Sequence, residues 1–148
     1  MLTKEQITDW FKTLQDNICE DLEKADGKGI FKQDLWDRPE GGGGRSRVIT
    51  NGNIIEKGGV NFSAVEGPLP EKIGQALQIV NANFYATGVS IVLHPLNPWV
   101  PIIHMNVRYF ETKGDNGSNW WFGGGIDLTP HYVNESDAQY FHQALKTV

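Results

Sequence analysis

The alternation of apolar and polar positions divides the chain into one amphipathic helix followed by a series of strand-like segments. Ile7, Trp10, Phe11, Leu14, Ile18 and Leu22 keep the spacing of a single helical stripe. Thr3 and Gln6 match a capping box ahead of it, and Asp26-Gly27 supplies the stop. Cys19 lies off the centre of the stripe and reads as a packing residue. Ile30 to Trp36 predicts a short strand. Asn51-Gly52 sits between the apolar runs Val48-Ile49 and Ile54-Ile55, and both residues tolerate the positive φ of a two-residue hairpin turn. Gly58-Gly59 breaks the return strand and Val60 to Val65 resumes it, so residues 45–65 read as a meander. Gly67 to Pro70 reads as a linker, and Glu71 to Val80 as a helix weakened by about 1 kcal/mol at Gly74.

The second half alternates with period two. Tyr85 to His94 is a strand with Thr87, Val89, Ile91 and Leu93 on one face and Ser90, Val92 and His94 on the other. Three prolines turn the chain between Pro95 and Pro101. In the strand Ile102 to Glu111, His104, Asn106, Arg108 and Phe110 share one face, and Ile103, Met105, Val107 and Tyr109 the opposite one. Residues 113–119 read as a loop. Trp120 to Asp127 is a third strand, with Trp121, Gly123, Gly125 and Asp127 on one side. Asn134 or Ser136 caps a last helix with Ala138, Phe141, His142 and Leu145 on its inner face. The fold class expected is α+β, a large antiparallel sheet flanked by helices, with residues 1–148 forming one domain.

Composition narrows the partners. A formal net charge of -5 argues against non-specific nucleic-acid binding, although a few clustered arginines still make a local anion site. One cysteine forms no internal disulfide, which points to a reducing cytoplasm. The N-terminus is polar and amphipathic, without a secretory h-region, and no apolar run is long enough for a membrane span.

Candidate chemistry gathers between residues 86 and 132. His104, Asn106 and Arg108 put a base, an amide and a permanent cation on one face, and Arg suits a carboxylate because its planar fork makes two parallel hydrogen bonds. The ordinary alternative is a solvated face. Gly123 to Gly125 leave a bare patch just before Asp127, where a flat ligand can lie and present N–H groups to the carboxylate; a curvature bulge explains the glycines equally well. His94, His104 and His142 together make a candidate divalent-metal set, at spacings that match no tight metal motif; His131 reads as loop surface. Arg45 and Arg47, following four glycines, suit an anion or an exposed hairpin start, but Gly-Lys-Ser/Thr is missing and this is no phosphate loop.

Four stretches resemble the oxygen-dependent coproporphyrinogen III oxidase family: GGGGRSRV at 41–48, EKGGVNFSAVEG at 56–67, ATGVSIVLHPLNPWVPIIHMNVRYFE at 86–111 and WWFGGGIDLTPHY at 120–132. The resemblance implies a homodimeric, cytoplasmic enzyme with a large antiparallel sheet. It implies oxidative decarboxylation of two propionates of coproporphyrinogen III to vinyl groups, giving protoporphyrinogen IX. O2 is the oxidant, no organic cofactor is used, and a divalent metal is a possible requirement. By the same resemblance Asp127 holds the pyrrole N–H groups and helps deprotonate one, His104 is a proton donor, and Arg108 holds a propionate beside Asn106 and Val107. Ser90 matches a substrate-binding position, and His94, His104 and His142 match three proposed metal ligands. Family members are substantially longer, so the chain is expected to be a fragment or a truncated product. A non-catalytic tetrapyrrole-binding module and a histidine-based metal domain are the other functional readings.

Overall fold

The computed structural model describes residues 2–115 and 117–148. The first helix, α1 (Lys4–Asp26), begins as its sequence requires: the Gln6 N–H donates to Thr3 Oγ1 at 3.3 Å and the Thr3 N–H donates to Gln6 Oε1 at 2.9 Å. Among the described residues six strands follow: β1 (Lys32–Asp37), β2 (Gly42–Thr50), β3 (Ile55–Pro68), β4 (Asn83–Pro95), β5 (Ile102–Gly114) and β6 (Gly117–Thr129). A short helix α2 (Glu71–Leu77) lies between β3 and β4, and α3 (Glu135–Leu145) follows β6. The sheet order is β1-β2-β3-β4-β5-β6, each neighbouring pair antiparallel, so the chain winds up and down without a crossover. The architecture is the α+β class expected.

Helix α1 covers one face of this sheet. Ile7, Phe11 and Cys19 pack with Ile49, Val60, Phe62, Val89, Ile91, Leu93 and Tyr109. Each large apolar side chain buried there contributes on the order of 2 kcal/mol. Gln15 is completely buried and belongs to no apolar stripe: its Nε2 donates to the Arg45 and Val60 carbonyls, both at 2.7 Å, and its Oε1 accepts from Arg45 Nε at 2.6 Å. Those bonds cancel the cost of burying an amide. Trp10, expected in the stripe, is instead 60% exposed, whereas Cys19 is buried. Burial pushes the Cys19 thiol up, against the opposing pull of Arg47.

The end of α1 is tied to the β2–β3 hairpin by Asp26. Its carboxylate, 3% exposed, accepts backbone N–H groups from Gly29 (2.7 Å) and from Asn53, Ile54 and Ile55 (each 2.9 Å). These bonds hold the acid well below the usual carboxylate range. The two-residue turn expected at Asn51-Gly52 spans residues 51–54 instead, with positive φ at Asn51 and not at Gly52; a Cβ on Gly52 would run into the same carboxylate, so this glycine serves close approach.

Several boundaries differ from expectation, and pairing is the reason. Gly42, Gly43 and Gly44 are not a loop; they open β2 and pair with β3, where a Cβ on any of them would meet backbone or the Trp36 ring. Gly58-Gly59 does not break β3, which is continuous apart from a register shift between Ile55 and Lys57. The loop expected at 113–119 shrinks because β5 and β6 stay paired as far as Gly114 and Gly117; Asn116, inside it, lies outside the described residues. Helix α2 stops before Val80, with Gln78 in the left-handed region. Asn134 is the cap of α3, accepting from the Ser136 and Asp137 N–H groups. Among the described residues no α3 side chain is buried, and no helix is long and apolar enough to cross a membrane.

Candidate active site

The site is built on the sheet face that α1 leaves open. Directly paired residues of antiparallel strands point to the same side. Val92, His104 and Asp127 form one cross-strand row; Ser90, Asn106 and Gly125 form the next; Gly88, Arg108 and Gly123 form the third. Ile103, Met105 and Val107, in alternate positions, pack against the core beneath. Period two therefore brings Arg108 and Asp127 to one face.

His104 Nδ1 lies 2.9 Å from Asp127 Oδ1, and Thr129 Oγ1 donates to that same oxygen at 3.1 Å. The His104 hydrogen bond is the main reason the Asp127 carboxyl sits below its ordinary range, with Thr129 adding to it. Among the described residues Oδ2 of Asp127 makes no hydrogen bond. The side chains are 44% and 54% exposed, so water screens the pair and its value is chemical rather than structural. Arg108 donates from Nη2 to Asn106 Oδ1 at 3.0 Å and, among the described residues, forms no ion pair with an acid. Four residues along β5 separate it from His104, a distance of about 13 Å at strand rise.

The glycine triplet divides its work by face. A Cβ on Gly124 would strike the Asn106 carbonyl, whereas one on Gly125 would meet nothing within 4 Å and one on Gly123 only the Trp121 ring edge. Gly124 is required by close strand packing. Gly123 and Gly125 keep the surface beside Arg108 and Asp127 bare.

Other expected residues fall elsewhere. Val107 points to the core side, so its side chain is not on the open face. Arg45 and Arg47 also lie on the α1 side, because they alternate with Ser46; both bind Asp16 Oδ1, at 2.8 and 2.7 Å, and pin the helix to the sheet. Their neighbour Ser46 is the residue that faces the site. His94 lines a hollow with Val48, Lys57, Gly59 and Val92, and His142 lines a separate hollow of about 250 Å³ with Asp127, Pro101 and Phe141. Among the described residues no three His, Cys, Asp or Glu side chains gather as a metal would need, so His94, His104 and His142 do not fit a common metal site in this arrangement. His131 is exposed in the turn after β6.

Trp36, Asn61 and Ser63 line the same open trough, about 520 Å³, as Ser90, Asn106 and Arg108. Their positions follow from strand register, which links them to β4 and β5 across β3. The available signal was the parity of β2: once Arg45 and Arg47 are assigned to one side, Gly44 and Ser46 belong to the other.

A family model described as coproporphyrinogen III oxidase matches residues 6–148. The chain belongs to this family. It is 50% identical over 140 residues to the oxygen-dependent coproporphyrinogen-III oxidase of Prochlorococcus marinus strain SARG, covering 93% of this chain and 40% of the relative. It is 51% identical over 146 residues to that of strain AS9601, covering 97% and 42%, and 53% identical over 135 residues to that of strain NATL1A, covering 90% and 38%. The chain thus spans about two fifths of the length of the curated relatives it matches. The coproporphyrinogen III oxidase match runs through α1 and all six strands, so the covered and the open face both fall within it.

Proposed function

We propose that the open face binds coproporphyrinogen III and forms part of the site at which an oxygen-dependent coproporphyrinogen III oxidase converts two propionates to vinyl groups, releasing carbon dioxide while O2 is reduced to hydrogen peroxide. The observation that carries this reading is the placing of Arg108 and the His104–Asp127 pair on one bare side of the sheet, about 13 Å apart along the strand. That separation suits a macrocycle held by a carboxylate at its rim and by N–H groups at its hub. Arg108, with one nitrogen bonded to Asn106 and, among the described residues, no acidic partner, offers its remaining donors to a propionate. The hydrogen bond from His104 holds the Asp127 carboxyl below its ordinary range, and Oδ2 is its acceptor for a pyrrole N–H. Removing that proton makes the ring electron-rich enough to react with O2. His104, oriented through Nδ1 by Asp127, presents Nε2 for proton transfer. Ser90 and Asn106 add polar contacts between the two ends.

No step in this scheme passes through an organic cofactor or a metal. Arg45, Arg47 and the Val107 side chain belong to the covered face and are left out of the substrate contacts. The proposal includes one domain for residues 1–148, a cytoplasmic setting consistent with the free, buried Cys19, and homodimer assembly. The outer edge of β6, unpaired among the described residues, supports further association.

Titration with coproporphyrin, the fluorescent oxidised form of the ligand, tests the reading. Saturable binding is expected, and Arg108→Ala should weaken it by roughly tenfold or more, the worth of a charge-assisted hydrogen bond. A chain that is folded by circular dichroism and shows no saturable binding would refute the assignment.

Gly125→Leu separates site from fold. A side chain there meets open space, so the melting temperature should move by no more than about 3 °C. It projects between Asn106 and Asp127 on the bare patch, and coproporphyrin binding should fall at least roughly tenfold. Unchanged titration curves would place the ligand elsewhere.

A further inference from the structure

The strand register draws a straight line across the open face: Trp36, Gly44, Ser63, Gly88, Arg108 and Gly123 are successive cross-strand partners. The interior of that line is small. Gly44, Ser63 and Gly88 form a floor, and a bulky side chain rises only at each end, Trp36 on β1 and Arg108 on β5. Four inter-strand steps separate these ends, about 19 Å between backbones, which leaves the width of one macrocycle once both side chains are in place. The Trp36 ring does not turn away. A Cβ on Gly44 would fall on its Cε2 and Cζ2 atoms, so the indole lies over bare backbone and leans onto the floor. Trp36 and Arg108 line one continuous trough.

We infer that Trp36 is a specificity-determining binding residue, the aromatic wall against which a pyrrole ring of a carboxylate-bearing tetrapyrrole packs while Arg108 holds a carboxylate at the far end. The inference rests on the proposed tetrapyrrole site and adds a second anchor and an orientation to it. An indole face is an electron-rich, polarisable surface suited to a ring face or to a pyrrole N–H edge. Its neighbour two residues back on the same face, Asp34, repels carboxylates. The β1 end therefore takes ring and the β5 end takes charge, so the ligand enters in one direction. Between them Ser46, Asn61, Ser90 and Asn106 form an adjacent polar row along the trough.

Coproporphyrin titrations of the whole chain test the assignment. Trp36→Ala should raise the dissociation constant by about tenfold, and Trp36→Phe, which keeps a ring, by no more than about threefold. Indole quenching on binding should fall in Trp36→Phe, with a remainder from Trp121 on the same face, and should be unchanged in Trp10→Phe, because Trp10 is exposed on α1. Ser63→Leu raises the floor between the two walls while leaving both wall residues in the chain, and should abolish binding. Wild-type affinity in Trp36→Ala or in Ser63→Leu, with affinity lost in Arg108→Ala, would overturn the inference and leave the site standing. Absence of binding by the unaltered chain would overturn the site and this inference with it. Circular dichroism confirms that each variant is folded; if Trp36→Ala is not, Trp36→Phe and Ser63→Leu still decide.

Discussion

Alanine in place of the residue matching Asp127, in a full-length oxidase of the family, is expected to lower turnover by about 10²–10⁴-fold while the protein stays folded. The expectation follows from three features of Asp127. Its carboxylate is about half exposed and contributes little to the fold, so its loss leaves the sheet intact. It orients His104 through a 2.9 Å hydrogen bond, so one substitution disables two groups. Its Oδ2 faces no competing donor among the described residues. Asparagine at the same position keeps the shape but removes the charge, and should fail nearly as badly. Because the carboxyl sits below its ordinary value, acid should extinguish the Asp127-dependent step only below about pH 3.9, the free aspartate value. Initial rates from the fluorescence of the oxidised product measure the loss. A variant turning over within a factor of about three of the parent would remove Asp127 from the chemistry.

Asp26→Ala should be the most damaging substitution for the fold, lowering the melting temperature by about 10 °C or leaving no cooperative transition. The carboxylate gathers N–H groups from Gly29, just past α1, and from residues 53–55, and alanine leaves the buried Gly29 and Ile55 donors without an acceptor. Native Asp26 has a lowered pKa, so it binds its proton more weakly folded than unfolded. Its contribution to stability is complete above the unfolded value of about 3.9 and is lost as pH falls below that toward the native value. Thermal melts followed by circular dichroism from neutral pH into acid test both statements. The parent should lose stability in acid more steeply than the variant. Equal melting temperatures at neutral pH would show that the hairpin holds without the carboxylate.

The elements near these residues were legible to different depths. Period two along 102–111 placed His104, Asn106 and Arg108 together because pleating fixes which side chains share a face. The helix cap at Thr3 and the stop at Gly27 are local chemistry and stood where expected. Which face the helix would cover is not local. It depends on Gln15 and Asp16 meeting Arg45 and Arg47 about thirty positions later, and no spacing in either segment announces that contact. Arg45 and Arg47 were accordingly grouped with the anion site and belong beneath the helix. The glycines at 42–44 and 58–59 read as breaks because glycine weakens a strand; at 42–44 neighbouring backbone and the Trp36 ring occupy the space a side chain would need, at 58 the Leu93 and Ile49 side chains do, and Gly59, which has room for a Cβ, is kept in the strand by its pairing. Trp36 and Asn61 escaped notice because their relation to Arg108 exists only through successive strand pairings. Asp26 read as an ordinary stop signal, since its donors come from a hairpin that folds back from the other side of β1 and β2.

From Ile103 to Tyr109 the odd-numbered side chains of β5 serve the interior and the even-numbered ones face the open side. Deleting one residue between Ile103 and Arg108 would exchange those duties for every position beyond the cut. The Arg108 guanidinium would be driven into oil, and the Tyr109 ring would be set out where a porphyrinogen is meant to rest. Such a strand would be turned inside out by a single missing amino acid, with nothing else in its composition changed.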